Sequence, residues 1–252
     1  MNRRQFIKNT LQVGTLSLIG GKFIYNEISS LNNKNTIHKI YNELSQHVRL
    51  AKYTGENETT GKLLEARGYG IVLNNKYITM EHIPGSLGKQ VVRTPFGIMS
   101  SDQKVKNKKA TLEGRVLKEL IIDKEKDVAI YDILTAQSEK EIENFPCKLQ
   151  TKYNLGDEIY VIGNPYLKGT NIRKGNICDL DSFGDEPLTK YCFGVDKAIL
   201  GGDSGTPVVN KDFELLGLCR ASTANVIAYI NKIENFVIYT NEQKVRREIE
   251  RV

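Results

Sequence analysis

The amino-acid sequence predicts an all-β protein made of two small barrels, and three observations carry that expectation. About a dozen short runs alternate Val, Ile and Tyr with polar residues, and Gly, Asn and Asp separate them, the pattern of antiparallel strands in a barrel or sandwich. A polar stretch at 135–156 (TAQSEKEIENFPCKLQTKYNLG) divides these runs into two sets, which points to two barrels joined by a linker. A length of 252 residues accommodates one large or two small domains with a sizeable core.

The elements follow in order. Residues 1–25 read as a leader: NRRQFIKNT (2–10) opens with adjacent arginines and leads into a modestly apolar run, TLQVGTLSLIGG (10–21). A charged start followed by a short apolar run describes an export signal, and this run is too short to span a bilayer comfortably, which takes ~20 residues. The paired arginines, with a hydrophobic residue two places on, resemble the twin-arginine signal of bacteria, although Asn2 stands where that pattern usually has Ser or Thr. Residues 26–46 are expected to hold a polar, asparagine-rich linker and a short helix. Ile37, Ile40, Tyr41, Leu44 and Val48 recur there at helical spacing. TGENETTGK (54–62) reads as a loop.

The first barrel, 47–140, has strand candidates at 67–73, 77–80, 90–96, 111–122 and 128–134. The basic run KVKNKKA (104–110) reads as a solvated loop. The second barrel, 141–238, has candidates at 158–163, 170–179, 190–195, 206–210, 214–220 and 226–230. The charged NEQKVRREIERV at the end, within 239–252, suggests a surface helix.

Composition narrows the function classes. Hydrophobic residues at 40% and charged residues at 26% are ordinary for a globular protein. The net charge of +6 hints at a polyanion partner, but Arg3, Arg4, Lys8 and Lys22 lie in the leader, which has no acidic residue. Without those four, 32 basic residues face 30 acidic ones, so nucleic-acid binding by the folded part loses its support. Cys147, Cys178, Cys192 and Cys219 show no CxxC or zinc-like spacing, so neither a metal nor a cofactor is expected. A Cys192–Cys219 bridge would fasten the segment between them, and buried free thiols are the alternative.

The chemistry centres on GGDSGTP (201–207), where Ser204 sits on a glycine-rich turn ahead of the apolar Val208-Val209. Gly201, Gly202 and Gly205 allow a tight turn and close approach of a substrate backbone. A serine nucleophile needs a base for its proton and fixed donors for the oxyanion; the Gly202 and Ser204 amides are the candidate donors. Of the three histidines, His38 and His47 lie in or beside the N-terminal helix and read as surface residues. His82 ends a strand–turn–strand segment, GYGIVLNNKYITMEHI (68–83), whose hairpin fixes where the imidazole leaves the sheet. Asp127, at the start of DVAIYDI (127–133), is the favoured carboxylate to orient it, with Asp123 and Asp132 as competitors.

These segments resemble the trypsin-like serine proteases, in which the order His, Asp, Ser and a GDSG motif recur, and the likeness is closer to the HtrA/Deg branch. VIGNPY (161–166), KGNICDL (174–180) and VDKAILGGDSGTPVVN (195–210) are similar to segments of that branch, and the resemblance covers about residues 40–238. It implies a double barrel of six-stranded antiparallel sheets, with His82, Asp127 and Ser204 as a triad. It also implies an oxyanion hole at Gly202 and Ser204, and a substrate pocket at Ala198. A residue six before the nucleophile selects basic side chains when it is Asp, so Ala198 disfavours a Lys/Arg pocket and suggests small or apolar residues. The implied protein is an exported, periplasmic or extracellular serine endopeptidase acting on proteins or peptides, with membrane contact only through a retained leader.

Three features depart from that branch. Thr206 stands where Gly is usual, Met80-Glu81 replaces a small or polar pair, and the chain is expected to have no room for a PDZ domain after the second barrel. Asp203 reads as a replacement for the Asn common in the branch, with capture of a newly cleaved N-terminal amine as the other reading. The departures at Glu81 and Thr206 also keep open a catalytically silent binding or chaperone-like module on the same fold.

Overall fold

The computed structural model describes residues 31–94, 97–134, 141–164, 169–180, 191–197, 199–223 and 227–240. The expected leader at 1–25 and the charged segment 241–252 lie outside them, as does Ala198. Among the described residues, no helix is long and apolar enough to cross a membrane.

Two closed six-stranded antiparallel barrels form the body. The first runs in the order β1 (Arg49–Asn57), β2 (Leu63–Leu73), β3 (Lys76–Thr79), β8 (Val128–Leu134), β7 (Arg115–Asp123) and β6 (Val105–Leu112), with β6 closing back onto β1. Outside it, β4 (Lys89–Thr94) and β5 (Gly97–Asp102) pair as a separate hairpin. The second barrel runs β10 (Asn171–Asp179), β11 (Cys192–Val195), β14 (Ile227–Lys232), β13 (Leu215–Thr223), β12 (Pro207–Asn210) and β9 (Glu158–Gly163). This matches the fold class expected from the alternating runs.

Local chemistry explains the sharpest turn. Asn74 and Asn75 both have positive φ, 49° and 58°, and link β2 to β3 as a two-residue hairpin loop. Asparagine tolerates that region better than other side chains, and the resulting turn matches the twist of the strands. The first barrel is filled by Ile71, Ile78, Leu112 and Ile130 around three tyrosines, with the Tyr131 ring 6.0 Å from that of Tyr53 and 6.4 Å from that of Tyr77. One apolar core continues from there into Ile162, Val209, Leu215, Leu218 and Phe236 of the second barrel. The second barrel also has its own interior around Val161, Phe193, Val208 and Ile230. The connector is drawn along this seam: Phe145 N–H donates to Val72 O at 2.7 Å, and Leu149 bridges Leu215.

Several expectations change. The helix α1 (Leu31–Leu44) begins inside the segment expected to be linker, and Ile40 and Leu44, one turn apart, are buried against the core. The expected loop at 54–62 begins only after β1, because Thr54 and Glu56 pair on both sides, with β2 and β6, Gly55 pairs with β2 and Asn57 with β6. KVKNKKA is strand: it lies largely in β6, whose lysines face solvent while Ala110 and Leu112 face the barrel. All four cysteines are free thiols, so the Cys192–Cys219 bridge does not form. Residues 234–240 are helical.

Candidate active site

Three turns converge where the barrels meet. β3 ends at Thr79, and His82 opens the single-turn helix α2 (His82–Gly85), with Ile83 buried beneath it. Asp127 closes the turn between β7 and β8 with φ +56°, a conformation that carries backbone strain in a residue of this kind. Asn231 on β14 fixes this turn by donating from Nδ2 to Lys126 O at 2.6 Å and Asp127 O at 3.3 Å.

Asp127 receives His82 at both oxygens. His82 N–H donates to Oδ1 at 2.8 Å, and Nδ1 lies 2.9 Å from Oδ2. The imidazole is 40% exposed while the carboxylate is 5% exposed, so one face of the pair is open to a substrate and the other sealed. Burial pushes the Asp127 carboxyl up, but the His82 hydrogen bonds and charge, with Arg220, outweigh it and hold the group below the usual aspartate range. The competing aspartates are engaged elsewhere. Asp123 accepts Lys126 N–H at 2.9 Å and the Tyr239 hydroxyl, and Asp132 pairs with Lys76.

Ser204 lies between Asp203 and Gly205 on the turn leading into β12. Gly205 is required by packing: with φ +81°, a Cβ there would sit 1.8 Å from Tyr69 O on β2. The serine turn of the second barrel is thereby pressed onto the first. It is tied to β13 by Gly205 N–H to Cys219 O at 2.9 Å and Cys219 N–H to Thr206 O at 2.8 Å. Among the described residues, the Gly202 and Ser204 amides make no internal hydrogen bond, as an anion-binding pair would require. The Ser204 hydroxyl donates to Arg220 O at 3.4 Å, and among the described residues it makes no bond to His82.

Thr206 is fully buried, and its amide and hydroxyl both donate to Asp203 O, at 3.0 and 2.7 Å. It therefore braces the Ser204 turn from within and does not crowd the open face. The Glu81 carboxylate lies over Gly85.

Two arginines complete the arrangement, and the motifs gave no sign of either. Arg220 on β13 places Nε 3.0 Å from Asp127 Oδ2 and Nη1 3.4 Å from Cys192 Sγ. Arg173 on β10 places Nη2 2.6 Å from Asp203 Oδ2, which also accepts Leu200 N–H at 2.7 Å. Asp203 is thus an ion-pair partner, in place of the simple Asn substitute expected. Both arginines stand in strands; Arg220 interrupts an apolar run, whereas Arg173 lies in a mostly polar stretch. His38 is exposed, as expected, but His47 is buried, where burial and Arg49 lower its pKa.

The arrangement holds a carboxylate–imidazole pair with a buried carboxylate and a partly exposed imidazole. Thiol chemistry has no comparable support: burial pushes Cys147 and Cys219 up to about 12 and Cys178 up to about 11. Among the described residues, no cluster of His, Cys, Asp and Glu is arranged to hold a metal.

The family model of the trypsin-like peptidase domain matches residues 68–218. The serine endoprotease DegS of Salmonella typhimurium is 28% identical over 169 residues, covering 64% of this chain and 42% of that protein. A serine protease HtrA-like of Staphylococcus aureus is 24% identical over 235 residues, covering 87% of this chain and 27% of that protein. The chain therefore spans less than half the length of these curated relatives. Among solved structures, Deg5 aligns with a TM-score of 0.56 at 18% identity, covering 84% of this chain and 94% of that one. The HtrA-type protease AlgW, solved with a tripeptide, aligns at 0.56 and 17%, covering 81% and 62%. At these identities the structural likeness is one of fold.

Proposed function

Since the chain belongs to the trypsin-like peptidase family, we propose that it is a serine endopeptidase in which Ser204, His82 and Asp127 act as the triad. The observation that carries this reading is the double grip of Asp127 on His82, at Nδ1 and at the backbone amide, beside an exposed glycine turn bearing Ser204. Holding Nδ1 leaves Nε2 to take the Ser204 proton as Oγ attacks the scissile carbonyl. Negative charge then develops on the carbonyl oxygen, and the Gly202 and Ser204 amides stabilise it. His82 next gives its proton to the leaving amine, an acyl-serine remains, and water assisted by His82 hydrolyses it. Asp127 stabilises the imidazolium in both steps.

Protein or peptide substrates follow from the family, and Ala198 favours small or apolar side chains at the cleavage site. Export is proposed from the paired arginines and apolar run at 2–21.

A second reading has a specific observation behind it. The Ser204 hydroxyl rests on Arg220 O, so a latent or silent protease-like module fits the resting arrangement. Labelling the folded protein with a fluorophosphonate, beside Ser204→Ala and His82→Ala, separates the two. An endopeptidase is labelled, and both variants abolish it. A folded protein that is never labelled belongs to the silent class.

A further inference from the structure

We propose that Arg220 is a positioning residue that joins the acid to the nucleophile: its guanidinium shares Asp127 Oδ2 with His82, and its carbonyl holds the Ser204 hydroxyl at rest. This inference deepens the triad reading and rests on it. The same residue reaches both ends of the relay, with Nε 3.0 Å from Asp127 Oδ2 and its carbonyl oxygen 3.4 Å from Ser204 Oγ. Its side chain is 8% exposed and that of Asp127 is 5% exposed, so water screens this contact weakly.

A carboxylate oxygen that already serves a guanidinium has less to give an imidazolium. Asp127 stabilises the protonated imidazole through its negative charge, and Arg220 offsets part of that charge at the same oxygen. Arg220 and His82 therefore compete for the same oxygen, and the guanidinium sets how firmly the carboxylate holds the imidazole.

Other titratable groups on the packed elements are placed differently. Glu81 precedes the imidazole and lies over Gly85. Lys126 Nζ is bonded to the Tyr239 hydroxyl and Glu125 to that of Tyr191. Asp203 is paired with Arg173. The Cys192 thiol lies beyond Arg220, and Lys232 on β14 acts on that thiol. Arg220 is the cationic side chain that the described structure sets against the Asp127 carboxylate besides His82.

The test is the pH profile of fluorophosphonate labelling for wild type, Arg220→Gln, Arg220→Met and Arg220→Lys. The neutral variants should move the acid limb upward by as much as ~1 pH unit, cutting the rate below the limb up to ~10-fold. Arg220→Lys keeps the charge and should hold the limb near that of wild type. A merely structural arginine would lower thermal stability without moving the limb, so an unmoved limb in folded Arg220→Gln overturns the inference. A limb in Arg220→Lys that moves as far as in Arg220→Gln overturns it too. A reading independent of variant folding is the Arg220 Nε–H resonance of wild type. It should shift across the midpoint of the His82 resonance, and a resonance constant there overturns the inference. Wild type unlabelled at every pH removes the triad reading instead, and the resonance still decides the Arg220 contact.

Discussion

Arg173 Nη2 and Asp203 Oδ2 form an ion pair of 2.6 Å directly behind the Ser204 turn, with the Asp203 side chain wholly buried. Oδ2 also accepts Leu200 N–H, and Asp203 N–H returns to Leu200 O at 3.0 Å, so the backbone ahead of Ser204 is closed on itself. β9 contributes by leaving room: a Cβ on Gly163 would lie 2.4 Å from both Arg173 Nη2 and Asp203 Oδ1. The turn that presents the serine is thus set by a charge pair supplied from within the folded chain.

Breaking this pair from one side should cost far more than removing it whole. Arg173→Met leaves the Asp203 carboxylate buried without its cation, a loss of about 3–5 kcal/mol. Adding Asp203→Asn should recover much of that loss, because no charge is then stranded. Denaturant unfolding of the two variants measures the difference, and a double variant as unstable as the single one contradicts it.

Asp127 predicts how stability depends on pH. Its folded carboxyl titrates below the ordinary aspartate value of about 3.9, so its contribution is complete above the unfolded value. As pH falls through that value the unfolded chain takes up the proton first. The contribution then declines until the folded carboxyl is protonated too. Asp127→Asn also removes the carboxylate charge that faces the buried Arg220 guanidinium, so at neutral pH the variant should be less stable by about 3–5 kcal/mol. The gap to wild type should narrow as pH falls below about 5. A gap that widens toward acid has the wrong sign for a depressed carboxyl.

The double barrel and the residues brought together here were legible in the sequence because each is announced locally. Asn74-Asn75 marks a hairpin, His82 follows it, Asp127 precedes an alternating strand, and glycines flank Ser204. What was not legible depends on contacts between distant segments. Arg220 follows Leu218-Cys219, and Arg173 lies among polar neighbours, so neither names its partner until β13 and β10 are folded beside Asp127 and Asp203. KVKNKKA concealed a strand for a related reason: its lysines face water, and pairing with β1 defines it. His47 looked like a helix-surface residue, but the chain turns through Ser45–His47 into β1 and buries it.

Gly205→Ala should disable the site with little change at its charged groups. The added Cβ would meet Tyr69 O at 1.8 Å, a backbone atom held on β2, and φ +81° adds strain of its own. The turn must therefore lift from β2, carrying Ser204 away from His82, and a displacement of ~1 Å can cost ~100-fold in rate. Labelling rate and thermal unfolding should both fall. A variant labelled at the wild-type rate would show that the seam between β2 and the serine turn does not set the position of Ser204.

Thiol counting gives the remaining prediction. All four cysteines are free, and Cys192 and Cys219, the two flanking Ser204 in sequence, are buried. The Ser204 turn is held by Asp203, Thr206 and Gly205 contacts, none of which needs a cross-link. Protein unfolded without reductant should therefore release four titratable thiols, and reductant should leave its unfolding midpoint unchanged. In the folded state Cys219 should react slowly, because burial holds the thiol up at about 12 and the reactive species is the thiolate. Two thiols on unfolding, with a midpoint that drops on reduction, would instead mean that a disulfide fastens the fold. Cys192 and Cys219 would then have to be drawn together across β11 and β13, displacing the Arg220 guanidinium that now lies against Cys192.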